Sequence, residues 1–279
     1  MIVGVVGLGL IGGSLAKALK ESNKVTVLAL DKNELTTKIA IMSQFIDGDL
    51  NGRLDECDFV FIAIDAYETV KFVKENEKNF KKGCIVVDCA GVKKVVCEPC
   101  FKVAEENGFH FVGGHPMAGT QFSGLKYSKQ DMFKGENFVL VPKKGEDVNI
   151  LAKIKEVLRL ALFSSVSVTT AEKHDEIIAF TSQLAHVVSN AYVKSPNAKV
   201  HKGFSAGSYK DLTRVAYLNE DMWAKLFLSN AENISFEIEN LITELEKYNK
   251  AIKENDFESL KALLKDGRER KERCDKGND

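Results

Sequence analysis

Residues 1–20 read MIVGVVGLGLIGGSLAKALK. The β-branched run Ile2–Val6 passes directly into Gly7-Leu8-Gly9-Leu10-Ile11-Gly12, which opens a helix-forming stretch through Ser14–Lys20. Strand, G-x-G-x-x-G and helix in that order make a dinucleotide-binding turn. Gly7 permits the tight turn, Gly9 lets the backbone approach a pyrophosphate and Gly12 packs helix on strand. The helix N-terminus at Leu10 and Ile11 supplies N–H groups and a positive dipole end. A second apolar run, Val25–Leu30, leads into Asp31, nineteen residues after Gly12. A carboxylate there accepts from ribose hydroxyls and repels a 2′-phosphate, and the next residue is Lys32 rather than Arg, so NAD is expected over NADP. With no basic residue before Lys17, the apolar start is not expected to be a secretory leader.

Outward from this turn, apolar runs at Phe59–Ile64, Cys84–Asp88, Phe109–Val112, Phe138–Val141 and Val166–Val168 alternate with candidate helices such as Glu68–Phe80 and Lys94–Asn107. Continuous apolar runs of this kind are strands buried on both faces of a mostly parallel sheet, which predicts an α/β, doubly wound Rossmann-type domain over residues 1–169. From residue 170 the strand signal stops, and residues 170–279 are expected to form an all-α domain for substrate binding and dimerisation. There Phe227, Ala231, Ile234, Ile238, Leu241, Leu245, Tyr248 and Ile252 recur at alternating spacings of four and three. This heptad seam must meet another helix, either in a homodimer or in the helix after Asp256. The uncharged stretch Ile177–Val193 places Ile177, Phe180, Leu184, Val188 and Ala191 on one face and Ser182, His186 and Ser189 on the other. That pattern predicts a helix buried on both sides, with a small polar stripe lining a cavity. The charged final stretch KDGRERKERCDKGND is expected to fray.

Lys plus Arg total 39 against 40 for Asp plus Glu in 279 residues, and 44% of residues are hydrophobic. This balance excludes a disordered chain and gives no electrostatic footprint for nucleic acid. No apolar run approaches the roughly 20 residues needed to span a bilayer. Six cysteines are too sparse for a disulfide framework, and a cytoplasmic location is expected. Cys97-Glu98-Pro99-Cys100 has no second ligand pair, so no metal is expected.

His115 lies in Val112-Gly113-Gly114-His115-Pro116-Met117-Ala118-Gly119-Thr120, read as a glycine-rich turn after a strand, on the ligand side of such a sheet. The GGHPMAG segment resembles the active-site motif of prephenate and arogenate dehydrogenases of tyrosine biosynthesis. The resemblance extends along the chain: the Gly7–Gly12 turn, His174-Asp175, Ser182-Gln183-Leu184-Ala185-His186, Tyr209-Lys210-Asp211-Leu212-Thr213-Arg214 and Met222-Trp223 follow in the family's order. It implies NAD-dependent oxidative decarboxylation of prephenate to 4-hydroxyphenylpyruvate, with arogenate or dual use as the alternative. It further implies that His115 is the catalytic group bonding the ring hydroxyl and that Arg214 clamps a carboxylate. Ser182, His186 and Gln121 would line the pocket, and Trp223 would support it. A neutral imidazole can take the proton that becomes acidic as hydride leaves the hydroxyl-bearing carbon, and a guanidinium fork matches a carboxylate.

The chain departs from relatives in three places. Gly91 stands where many carry a serine that bonds the histidine, Asp65 has no evident role beside the cofactor, and Gln183 replaces a histidine. Neutral Gln121 favours the keto side chain of prephenate over the ammonium of arogenate. A β-hydroxyacid or imine dehydrogenase would need a catalytic lysine or another proton donor in place of the His-Pro segment and distant Arg. A non-enzymatic NAD sensor would lack the acid/base group.

Overall fold

The computed structural model describes residues 1–120 and 122–277; Gln121 lies outside the described residues. Eight strands, β1 (Ile2–Val6), β2 (Thr26–Leu30), β3 (Gly48–Asp49), β4 (Phe59–Ile62), β5 (Ile85–Asp88), β6 (His110–Pro116), β7 (Asn137–Val141) and β8 (Ser165–Val168), form one sheet in the order β3-β2-β1-β4-β5-β6-β7-β8. The strands from β3 to β6 in that order are parallel, β7 pairs antiparallel with β6, and β8 is parallel to β7.

Alternate residues of each strand feed opposite cores. Val3, Val5, Phe59 and Phe61 pack with Leu15 and Leu19 of α1 (Leu10–Glu21) and with Ile150, Ile154 and Val157 of α5 (Val148–Leu160). Val6, Val60, Ile62 and Val86 pack with Val73 of α3 (Ala66–Glu75) and with Val96, Cys100 and Val103 of α4 (Lys94–Asn107). A period-two chain with both faces covered explains why the strands read as unbroken apolar runs. The remaining crossover carries α2 (Glu34–Met42). Strand order reverses between β1 and β4, which opens the ligand crevice at their carboxyl ends.

β6 corrects the sequence expectation: the strand continues through Gly113 and Gly114 to Pro116, so His115 sits within a strand, opposite Val139, and not in a turn. Antiparallel pairing with β7 supplies the partner that a run ending at Val112 would lack. A Cβ on Gly114 would come within 2.4 Å of Asp88 O and 2.7 Å of the Phe138 ring. Glycine there reflects close packing, and a turn signal in sequence is equally a close-approach signal.

Beyond Val168 the described chain is helical: α6 (Ala171–Ile178), a π-helical segment Ala179–Leu184, α7 (Ala185–Tyr192), α8 (Gly207–Thr213), α9 (Glu220–Leu228), α10 (Ala231–Lys253) and α11 (Phe257–Lys276). The π segment breaks the 3.6-residue phase on which the expected faces of Ile177–Val193 rested. Ile177 and Phe180 are 45% and 61% exposed, while His174, Asp175, Ile178, Ala179, Gln183 and Ser189 are buried. The heptad seam is likewise not one helix, because Ser229 and Asn230 separate α9 from α10. Of the seam residues Ile234 is buried, but Leu245 and Ile252 remain exposed. α11 folds back on α10, and the Tyr248 hydroxyl donates to Leu263 O at 3.2 Å. The charged end does not fray as expected. It is helical to Lys276, with i,i+4 pairs Asp266–Arg270, Arg268–Glu272 and Lys271–Asp275 along it. No helix among the described residues is long and apolar enough to cross a membrane.

Candidate active site

The glycine turn has the shape a dinucleotide needs. Gly7 adopts φ +87°, and a Cβ on it would meet Ile64 Cγ2 at 2.5 Å; a Cβ on Gly12 would meet Gly7 O at 1.8 Å. At Gly9 a Cβ would meet nothing within 4 Å, which leaves open space before the first turn of α1. That turn, from Leu10 and Ile11, carries no acidic residue to oppose an anion. Asp31 adds a function that sequence does not show: Oδ2 accepts from Leu8 N at 2.8 Å and Oδ1 from Asn33 N at 2.9 Å. The carboxylate therefore ties the glycine turn to the start of α2, and each oxygen keeps a lone pair for a ribose hydroxyl. The residues present thus fit NAD: a pyrophosphate-sized opening at Gly9, a helix N-terminus facing it and a carboxylate for the diol. Asp65 also gains an account, since it caps α3 by accepting from Tyr67 N at 2.9 Å and Glu68 N at 3.4 Å.

At the carboxyl end of β5 and β6 a buried cluster holds His115. Lys93 and Asp88 are both fully buried and paired. Lys93 Nζ also donates to Gly114 O at 2.5 Å, while Asp88 accepts from Gly114 N at 3.0 Å and Ala90 N at 2.9 Å. The pair clasps both backbone groups of the residue preceding His115. An ion pair this dry persists only where further hydrogen bonds satisfy both partners, as they do here. His115 Nδ1 lies 2.9 Å from His174 Nε2, and His174 Nδ1 lies 2.7 Å from Asp175 Oδ1. Asp175 also accepts from Lys93 N at 2.8 Å and Lys94 N at 2.9 Å, and its backbone oxygen accepts from Asn230 Nδ2 at 2.8 Å. Burial, with His174 and the Lys93 charge beside it, holds the His115 pKa well below the usual histidine value, so its imidazole is neutral.

A second group lies further along the same helical stretch. Trp223 stacks on His186 with ring centroids 3.9 Å apart and planes 29° apart. His186 Nδ1 is 2.8 Å from Ser182 O; a carbonyl only accepts, so Nδ1 carries the hydrogen and Nε2 is left as an acceptor. Burial lowers the His186 pKa, with a smaller contribution from the nearby positive charge of Arg214; the bond to Ser182 O opposes both. Arg214 is the C-cap of α8 and exposed, with no carboxylate pairing it among the described residues. Asn190 Nδ2 on α7 donates to Ala216 O at 3.3 Å and holds the segment after α8 near this group. Ser182 is half-buried, within the π segment. The structure thus gathers His186, Trp223, Ser182 and Arg214, and separately gathers His115 with His174, Asp175, Lys93 and Asp88.

Gly91 carries no hydroxyl for His115; instead a Cβ there would meet Leu226 Cδ1 of α9 at 3.1 Å, so this loop is covered by the helical half. Cys97 and Cys100 are buried in α4 with their thiols pushed up by desolvation, and no group of three or more potential metal ligands exists among the described residues.

Residues 15–162 match the family model described as prephenate dehydrogenase, nucleotide-binding domain, and residues 170–266 match that described as prephenate dehydrogenase, dimerization domain. The chain is 27% identical to a prephenate dehydrogenase of Lactococcus lactis over 95% of its own length and 75% of the relative's. It is 27% identical to a cyclohexadienyl dehydrogenase of Zymomonas mobilis, over 92% of this chain and 90% of that one. Among solved structures, prephenate dehydrogenase from Aquifex aeolicus in complex with hydroxyphenyl propionate and NAD+ superposes with TM-score 0.84 at 28% identity, covering 98% of each chain.

Proposed function

The chain belongs to the prephenate dehydrogenase family, and on that premise we propose that it catalyses NAD-dependent oxidative decarboxylation of prephenate to 4-hydroxyphenylpyruvate. The observation that carries this reading is a histidine, His115, bonded through His174 to Asp175 at the same carboxyl side of the sheet as a cradle shaped for NAD. NAD, when bound, supplies the hydride acceptor, held by Gly7, Gly9, Leu10, Ile11, Gly12 and Asp31. His115 accepts the proton of the ring hydroxyl as the oxygen gains carbonyl character. Arg214 offers its exposed guanidinium to a substrate carboxylate, while His186, stacked on Trp223, and Ser182 line the pocket. Loss of carbon dioxide makes the ring aromatic and returns electrons to the oxygen, which takes its proton back.

Neutral Gln121 supports prephenate over arogenate; the Zymomonas relative, named for the broader cyclohexadienyl class, keeps dual use as the second reading. Residues 1–169 serve as the cofactor domain and residues 170–279 as the substrate and dimerisation domain. A homodimer through the C-terminal helices accounts for the exposed Ile177, Phe180, Phe236, Leu245 and Leu264. As a family member of biosynthetic type, the enzyme is assigned to the cytoplasm, with neither membrane nor nucleic acid as partner. The test is steady-state NADH formation with prephenate and arogenate side by side. Turnover with prephenate at the higher kcat/KM is expected, and no turnover with either acid overturns the reading.

A further inference from the structure

We propose that Asp175, His174 and His115 form a proton relay that makes Nε2 of His115 the accepting nitrogen and holds the proton displaced from His115 Nδ1 on His174 until the substrate's proton is returned. The inference rests on the reading of His115 as proton acceptor and assigns two positioning residues behind it.

The direction of the chain follows from what each atom can do. Asp175 is buried, and its two oxygens accept from two backbone N–H groups, Oδ1 from Lys93 N and Oδ2 from Lys94 N, so both act as acceptors. Oδ1, an acceptor towards Lys93 N, accepts likewise from His174 Nδ1, 2.7 Å away, which therefore carries a hydrogen. Nε2 of a neutral His174 is then an acceptor, and its partner at 2.9 Å, His115 Nδ1, must be the donor. With Nδ1 protonated, Nε2 of a neutral His115 holds a bare lone pair. The backbone on both sides is fixed: the Lys93–Asp88 clasp holds Gly114, and Asn230 Nδ2 on the Asp175 carbonyl holds the start of the helical stretch.

The same geometry supplies a place for charge. His115 has the Lys93 ammonium nearby and is poorly solvated, so an imidazolium there is disfavoured. When the substrate O–H bond breaks and an N–H bond forms at His115 Nε2, the Nδ1–H bond can break as His174 Nε2–H forms. The positive charge then rests on His174, in direct contact with the Asp175 carboxylate and one ring further from the reacting carbon. When the departing carboxylate leaves its bonding electrons in the ring, the substrate oxygen becomes basic, both transfers reverse, and no proton is gained or lost over the cycle. The charged and titratable groups facing this chain include Lys93 from the β5–α4 loop, Asp88 from β5, His174 with Asp175 from α6, and, around Asp175, Glu172 from α6 and Cys97 from α4; β7 presents Val139 opposite His115.

Two measurements test the relay. The first is long-range ¹H–¹⁵N NMR of the wild-type protein with ¹⁵N-labelled histidine, His115 assigned by its absence in His115→Asn. The Nδ1–H tautomer of His115 is expected, and an Nε2–H tautomer overturns the proposal without any activity measurement. The second compares His174→Gln with His174→Leu. Gln keeps an oxygen that accepts from His115 Nδ1 but cannot take up the proton; Leu loses both functions. Both are expected to lower kcat with prephenate, His174→Leu by about 10²–10³-fold and His174→Gln by about 10-fold or more, with KM for NAD and prephenate within about threefold of wild type. Wild-type kcat in His174→Gln overturns proton storage. Wild-type turnover combined with the wrong tautomer refutes the relay and leaves the proposed reaction standing, whereas a wild type without turnover but with the Nδ1–H tautomer refutes the reaction alone.

Discussion

The two clusters of the site are built differently. Around His115 every polar partner is buried and bonded: Lys93, Asp88, His174 and Asp175 are nearly inaccessible. Around Arg214 the chain is open. The guanidinium is exposed, Trp223 and His186 are partly covered, and α8, which carries the arginine, is seven residues long with no buried residue. A proton transfer needs a donor and acceptor fixed before the substrate arrives, which favours a preorganised, water-poor cluster. A carboxylate clamp gains by staying hydrated until its anion displaces water, and a fully buried unpaired guanidinium would cost several kcal/mol. On the proposed function, the rigid end would carry the chemistry and the open end the capture.

Four substitutions test that contrast, beginning with the largest effect. His115→Asn should retain NAD binding and lower kcat by about 10²–10⁴-fold; unchanged turnover removes His115 from the mechanism. Lys93→Met leaves Asp88 buried without its cation and should lower unfolding free energy by about 3–5 kcal/mol, read by denaturant titration. A loss under 1 kcal/mol would show that the cluster is not rigidly held. Arg214→Gln, at the open end, should raise KM for prephenate roughly 10–100-fold, the range for losing a charge-assisted bond, with little effect on stability. A kcat loss as large as that of His115→Asn would erase the distinction between the two ends. Asp31→Ser should raise KM for NAD about 10-fold and narrow the preference over NADP. A wild type that prefers NADP contradicts the carboxylate argument.

The smallest effect concerns pH. The folded pKa of His115 lies below the ordinary 6.5, so as pH falls through that value the unfolded chain takes up a proton that the folded one refuses. Stability from this group is therefore complete above about pH 6.5 and declines as pH drops toward the folded pKa. His186 acts in the same direction. Tm measured from pH 8 to pH 5 should fall, and less steeply in His115→Asn. An identical slope in the two proteins would mean that His115 titrates normally.

What could be read from sequence follows the distance over which each feature closes. The glycine turn is local, so its strand, turn, helix and Asp31 were all legible, and α4 runs over the same residues as its sequence pattern. Asp65-Ala66-Tyr67-Glu68 carries N-cap spacing before a helix, a local signal for the capping bonds the structure shows. The cluster behind His115 was not legible. Asp88 ends β5 and Lys93 follows five residues on, at the start of α4; their partner, Gly114, comes from the next strand, and His174 arrives from 59 residues away. The burial of Lys93 has no sequence signature, since lysine in a loop ordinarily reads as solvated. The exposed side of the Ile177–Val193 stretch is not legible in sequence, because one π-helical turn shifts the phase on which periodicity depends.

That irregular turn also sets the phase between two histidines. An α-helix advances about 100° per residue, so a π turn, which carries one residue more, shifts the phase of the helix that follows it. The π segment Ala179–Leu184 adds that shift of phase between His174, which points into one cluster, and His186, which meets Trp223 in the other. Deleting Thr181 would then restore a regular helix and swing one of the two histidines by about 100° off its partner. A loss of either the tautomer of His115 or the Trp223 stacking fluorescence would show which half of the helix is the fixed one.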